Sequence, residues 1–310
     1  GAVHSVIHTS GTSGRPKAVE LTYANHHASA LASAANLGVE PDDAWLCPLP
    51  LFHVGGLAVL LRSAIYATTA VLHERFDAER VRAALEGGEV TLASLVPTML
   101  GRLRAAGLER APRLRALLLG GGPIPGGLLE WASAAGLPVR ATYGMTETAS
   151  QVATAAPGER AAKPLEGVEL QIAPDGEVLV RGPMVAHGAL AGDGWLHTGD
   201  LGRLNEAGLL RVEGRLKDII VTGGENVAPA EVEEALLAHP AVLDAGVAGR
   251  PDPEWGEAVR AFVVVSDGAE VDGLREWCAE RLAAHKVPKR IERVASLPRN
   301  AAGKLLRDRL

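Results

Sequence analysis

In SVIHTSGTSGRPK (Ser5–Lys17), a short apolar run stops at a loop of small hydroxyl residues and glycines that ends in a lysine. The run Ser5 to His8 reads as a buried strand. Between Thr9 and Lys17, backbone NH groups and hydroxyls can wrap phosphate oxygens, with Lys17 adding a cation. The same composition also suits a flexible surface turn. It is not the GxxxxGK[ST] pattern, which disfavours a P-loop NTPase.

Outward from this loop, apolar runs alternate with helix-period segments. Thr91 to Val96, Leu114 to Leu119 and Val139 to Thr142 read as further buried strands, and Thr22 to Leu37 and Asp77 to Glu86 as helices. Asp77 is the expected N-cap of the second helix, and Gly87 lies past its end. This alternation predicts an α/β large domain built on a mainly parallel sheet. From Glu177 (GEVLVRGP, GLLRVEGR) the period falls to two between Gly and Asp turns, predicting a more antiparallel β subdomain. A small α+β C-terminal domain begins near Asp218. It has a helix from Pro229, a strand pair around Val242 to Val265, a helix from Asp272 to His285 and a last strand near Ile291.

Composition narrows the function classes. The chain has 310 residues, 47% of them hydrophobic, with a formal net charge of −6. Two soluble domains are expected, without the broad basic field that would bind duplex nucleic acid. Cys47 and Cys278 show neither disulfide nor zinc-ligand spacing and read as buried thiols. The most apolar stretch, Val54 to Tyr66, is interrupted by Arg62 and falls short of the ~20 residues of a membrane span, so it reads as a buried helix. No signal peptide is visible, which points to the cytoplasm.

Six motifs then stand in order: TSGTSGRPK (Thr9–Lys17), YGMTET (Tyr143–Thr148), TGD (Thr198–Asp200), GRLKD (Gly214–Asp218), GGENVAPAEVE (Gly223–Glu233) and PRNAAGK (Pro298–Lys304). In these the chain resembles the adenylate-forming superfamily of acyl- and aryl-CoA synthetases, peptide-synthetase adenylation domains and firefly luciferase. It departs from the family where Ala18 replaces the glycine usual after the loop lysine. The resemblance implies an ATP-dependent acid:CoA ligase that makes an acyl-AMP and then a thioester, using ATP, Mg²⁺ and coenzyme A. It sets a large domain at 1–213, a hinge at 214–217 and a mobile lid at 218–310. Family members carry a longer portion before the phosphate loop, so the chain is either a compact member or lacks an N-terminal segment.

The resemblance also implies roles. Thr9, Ser10, Gly11, Thr12, Ser13, Gly14 and Lys17 would hold the phosphates, Thr146 would bond a phosphate and Glu147 would bind Mg²⁺. Thr146 with Glu147 also suits the start of a helix. Gly120, Gly121 and Gly122 follow a strand at the carboxyl edge, where α/β sheets bind ligands. Tyr143 would stack on adenine, with Gly144 and Met145 beside nucleotide and acyl group. Asp200 would accept the ribose hydroxyls, with Arg215 as a ribose or phosphate contact; an aspartate in GDLG also suits a plain turn. Lys304 would bridge carboxylate and nucleotide during adenylation, Lys217 would be the pivot, and Gly223 and Gly224 would line the path of the CoA arm.

For the acid, PLFHVGG (Pro50–Gly56) carries His53 where peptide-synthetase domains place an acidic residue, so an amino acid substrate is not expected. His53 is either the gate of the acyl pocket or a satisfied core histidine. PLFHVGGLAVLLRSAIY and TYGMTETASQ are most similar to the o-succinylbenzoate:CoA ligases of menaquinone biosynthesis. Arg62 adds a physical reason: a guanidinium in an apolar helix is costly to bury unless it meets an anion, and o-succinylbenzoate keeps a second carboxylate. A side chain snorkelling to the surface is the alternative. Other aryl- or fatty-acyl:CoA ligases and a non-catalytic AMP-binding sensor are the rival readings, and assembly as a homodimer is left open.

Overall fold

The computed structural model describes residues 1–10, 16–266, 268–299 and 305–310, with the side chains of Ser10 and Pro16 left aside. Two compact units emerge. One comprises Gly1–Ile124, Leu128–Thr198 and Arg203–Arg211, the other Pro125–Gly127, Gly199–Gly202 and Val212–Leu310.

The chain opens with an antiparallel pair, β1 (Val3–Ser10) and β2 (Pro16–Thr22), followed by α1 (Tyr23–Leu37). Thr22 caps this helix by accepting a hydrogen bond from the Asn25 backbone. Next come β3 (Ala44–Cys47), α2 (Val54–Tyr66), β4 (Thr69–Leu72), α3 (Ala78–Glu86), β5 (Leu92–Leu95), α4 (Pro97–Ala105), β6 (Ala116–Leu119), α5 (Gly126–Ala134) and β7 (Val139–Met145). The expected cap of α3 is present: the Asp77 carboxylate accepts from the Arg80 backbone. Six further strands follow: β8 (Ser150–Ala155), β9 (Ala162–Pro164), β10 (Glu169–Ile172), β11 (Glu177–Arg181), β12 (Leu196–Leu204) and β13 (Leu210–Arg215).

These strands form one eleven-stranded sheet in the order β10-β11-β12-β13-β9-β8-β7-β6-β5-β3-β4. From β4 to β7 the pairing is parallel. Its inner strands β3, β5 and β6 are buried on both faces, as parallel sheets require, while the edge strand β4 is partly exposed. Leu117 and Leu119 of β6 face a core shared with α3, α4 and α5, while Ala116 and Leu118 lie in a second core with Trp45 and Cys47 of β3 and Val59 of α2.

Two sequence expectations need correction here. The run Ser5–His8 is a strand, but not a buried one in the parallel sheet: it pairs only with β2, Ile7 faces inward, and Val6 is half exposed. Exposure alternates along it, with Ile7 buried between exposed Val6 and His8, as in a one-sided strand. The antiparallel region starts at β8, not at Glu177, and continues the same sheet instead of forming another.

The second unit contains β14 (Ile220–Thr222), β15 (Glu225–Val227), α6 (Pro229–Leu237), the long hairpin β16 (Val242–Asp252) and β17 (Gly256–Val265), α7 (Leu274–Ala279) and β18 (Arg290–Arg293). The helix expected to reach His285 stops at Ala279. Cys278, Leu282 and Val287 all enter this unit's core, and Leu282 and Val287, five residues apart, could not share one helical face. Arg307 ties the C-terminal residues down. Its guanidinium donates to both carboxylate oxygens of Glu233, to Asp218 at 3.2 Å and to the Val247 carbonyl at 2.8 Å. Both cysteines are buried free thiols. No helix among the described residues is long and apolar enough to cross a membrane.

Candidate active site

A small apolar cluster assembles the first unit's motifs. Ile7, Val19 and Leu21 of the hairpin pack with Ala149 and Ala186, and Val54 and Leu57 at the start of α2 join them. This brings β2, which carries the exposed Lys17 at its start, beside the turn Thr146–Thr148 and beside His53, the residue that precedes α2. The Glu147 carbonyl is held by the Ala186 NH at 2.7 Å.

The turn itself is a single 3-10 turn, so Thr146 does not start a longer helix. Thr148 is its structural hydroxyl: fully buried, it accepts from the Met145 NH at 3.0 Å. Ala149 and Ser150 follow with φ of 50° and 110°, a left-handed pair that non-glycine residues adopt only when their surroundings enforce it. Gly144 is required by the fold before any ligand is considered. A Cβ there would lie 1.8 Å from the Ser150 carbonyl oxygen, at the bulge between β7 and β8. Tyr143 and Met145 pack partly on the apolar core behind the sheet.

Gly120–Gly122 follow β6 at the carboxyl ends of the parallel strands. The Gly120 NH bonds the Leu95 carbonyl at 3.2 Å, and a Cβ on Gly120 would meet the Thr142 carbonyl at 3.0 Å. The loop therefore runs against the end of β7. His53 is half-buried, and its Nε2 has no hydrogen-bond partner among the described residues, which argues against a satisfied core histidine. Burial holds its pKa below the ordinary value, so the ring is neutral at physiological pH.

Arg62 does not snorkel. It is 3% exposed. Its Nη1 donates to Gln151 Oε1 at 2.9 Å and its Nη2 to Ser29 Oγ at 3.1 Å, and its Nε lacks a partner. Ser29 in turn donates to the Ala149 carbonyl at 2.9 Å, next to the Thr146–Thr148 turn. No ion pair to Arg62 exists among the described residues. Burial lowers its pKa to about 10, which leaves it charged at neutral pH. Gln151, Ser29 and Ser33 were not singled out from the sequence. A signal was there: Asn25, Ser29 and Ser33 recur at four-residue spacing on the buried face of α1.

In the second unit, Asp200 is buried and pairs with Arg215, Oδ1 to Nε at 2.7 Å. Lys217 is exposed in a short turn. Gly223 and Gly224, with φ of 59° and 84°, form the two-residue loop between β14 and β15, a type of turn that demands two left-handed residues. A side chain on Gly223 would strike Trp255 at 2.8 Å, while Gly224 has open space. The turn thus explains both glycines, and only Gly224 leaves room beside it. Gly11, Thr12, Ser13, Gly14, Lys304 and the Ser10 side chain lie outside the described residues.

No group of three His, Cys, Asp or Glu side chains among the described residues can hold a metal. A lone carboxylate such as Glu147 fits Mg²⁺, which binds through one or two carboxylates plus substrate phosphates and keeps its waters.

Residues 2–190 match the AMP-binding enzyme family, and residues 231–304 match the AMP-binding enzyme C-terminal domain. The chain belongs to the AMP-binding enzymes. Among its relatives, the 2-succinylbenzoate–CoA ligase of Bacillus licheniformis is 48% identical over 331 aligned positions, covering 99% of this chain and 69% of the relative. The o-succinylbenzoate CoA synthetase of Bacillus subtilis, solved with its acyl-adenylate intermediate OSB-AMP, superposes with a TM-score of 0.90 at 43% identity. That alignment covers 98% of this chain and 68% of the other. The same synthetase with ATP and magnesium gives 0.90 at 43%, covering 98% and 69%. Within this AMP-binding enzyme, the Thr146–Thr148 turn, the Gly120 loop and the Arg62 network all lie in the segment matched by the larger family pattern.

Proposed function

We propose that this chain is an ATP-dependent o-succinylbenzoate:CoA ligase that forms the acyl-adenylate, releases pyrophosphate and transfers the acyl group to coenzyme A. Its relatives carry that activity in their names, and one is solved with the adenylate. The observation that carries the substrate assignment is Arg62, a buried cation held only by neutral groups. A monocarboxylic acid spends its one carboxylate in the reaction and leaves nothing to meet that charge. A dicarboxylic acid brings the missing anion, and the guanidinium is worth its desolvation only with such a partner.

In this reading Lys17 and the loop before it hold the ATP phosphates. Thr146 and Glu147 serve the phosphates and Mg²⁺, which when bound disperses charge at the reacting phosphorus. Asp200 and Arg215 take the ribose, and Gly120–Gly122 and Tyr143 the adenine. His53, neutral and half-buried, borders the acyl group with Gly144 and Met145. Lys304 stabilises the attacking carboxylate, and residues 218–310 move about Lys217 so that Gly224 faces the CoA arm. ATP and CoA as co-substrates put the reaction in the cytoplasm.

A panel of acids assayed by pyrophosphate release tests the assignment. Arg62→Ala is expected to lose roughly 2–5 kcal/mol of binding to o-succinylbenzoate, the range for removing one partner of a buried charge pair. Benzoylpropionate, the same skeleton without the ring carboxylate, should lose far less. Equal losses on both acids, or a wild-type preference for a fatty acid, would overturn the substrate while leaving the ligase chemistry in place.

A further inference from the structure

The polar groups around Arg62 are all neutral. Gln151 is 4% exposed and Ser29 2% exposed, so neither is a surface contact. Gln151 Oε1 accepts from Arg62 Nη1 at 2.9 Å and from Ser33 Oγ at 3.3 Å, while its Nε2 donates to Thr154 Oγ1 at 3.3 Å. A guanidinium only donates, so it requires the carbonyl end of the amide, and Thr154 provides an acceptor for the other end. The nearby Tyr66 phenol is neutral and donates to the Ala30 carbonyl. His26 has its pKa lowered to about 4 by burial, then by His4, then by the field of Arg62 itself. The charge of Arg62 is therefore oriented without being neutralised.

We infer that Gln151 is a specificity-determining positioning residue. Its carboxamide aims the Arg62 guanidinium while leaving the positive charge available to the second carboxylate of a dicarboxylic substrate. A glutamate at 151 would fit the same space and accept the same hydrogen bond, but would form an internal ion pair and remove that charge from the substrate. Ser29 completes the arrangement with a second neutral acceptor, itself anchored to the Ala149 carbonyl. Shape alone would not separate glutamine from glutamate here. Charge does.

The inference rests on the proposed diacid substrate, and the experiment keeps the two apart. KM and kcat are measured for o-succinylbenzoate and for benzoylpropionate with wild type, Gln151→Glu, Gln151→Met and Arg62→Ala. Gln151→Glu should raise KM for the diacid at least about tenfold, as expected when a buried cation gains a competing internal anion. The monoacid should stay within about twofold, a split that a purely structural role would not produce. Gln151→Met keeps the charge free but loses the aim, so its diacid loss should be smaller than that of Gln151→Glu. A Gln151→Glu enzyme that keeps its diacid preference, or loses both acids equally, overturns the inference. If Arg62→Ala also fails to discriminate, the substrate assignment falls; if Arg62→Ala discriminates and Gln151→Glu does not, only the role of Gln151 falls. Folding is not the weak point, because a glutamate beside a buried arginine satisfies both side chains.

Discussion

Gly144 shows how a motif residue can be needed by the backbone before it serves any ligand. The β7–β8 bulge brings the Ser150 carbonyl into the space a side chain would fill. Gly144→Ala is expected to cost about 1–3 kcal/mol, typical of forcing extra atoms into a packed site, read as a lower denaturation midpoint. Adenylation should fall with it, because Glu147 lies three residues downstream on the turn the bulge sets up. A variant as stable as wild type would show that the backbone relaxes there. Arg62 teaches a related lesson. Its apolar surroundings in sequence indicated a cost of burial, but not that its donors would be met by uncharged acceptors from α1 and β8.

Among the elements, the entry of β12 carries a pH-sensitive tie. His197 Nδ1 lies 2.7 Å from Glu177 Oε2 on β11, and its Nε2 lies 3.0 Å from Asp193 Oδ2 in the preceding turn. Carboxylates only accept, so both contacts are hydrogen bonds only when the ring is doubly protonated. Asp193 first and Glu177 second raise the His197 pKa. A folded pKa above the unfolded value means that the tie stabilises fully below the unfolded pKa of about 6.5 and is lost as pH rises through the folded one. Wild type should therefore be more thermostable than His197→Gln near about pH 6, with the gap closing toward about pH 9. A gap that is constant with pH would remove the charged bridge. The effect is modest, since His197 is half exposed and screened.

At the scale of the molecule, the proposed chemistry separates into two half-reactions, and in that proposal Lys304 serves the first alone. Lys304→Ala should abolish acyl-adenylate formation while leaving thioester formation from supplied acyl-adenylate largely intact, because its charge serves only the transition state of carboxylate attack. Pyrophosphate release and thioester formation from the supplied adenylate measure the two steps separately. Equal loss in both would unseat the division of labour.

The sequence by itself determined the parallel strands Leu92–Leu95, Ala116–Leu119 and the start of β7, as well as the helices α1 and α3, the latter with its Asp77 cap, because hydrophobic period and capping chemistry are local properties. It also determined the order of the motifs, which needs no coordinates. Tertiary structure alone decided that Ser5–His8 lies in a separate hairpin, that α7 ends at Ala279, and that Arg62 is held by Gln151, 89 residues away. Those outcomes depend on which distant side chains compete for the same buried space. Period and capping signals extend only a few residues along the chain, so the partners that leave the charge of Arg62 open are fixed only when α1, α2 and β8 pack together.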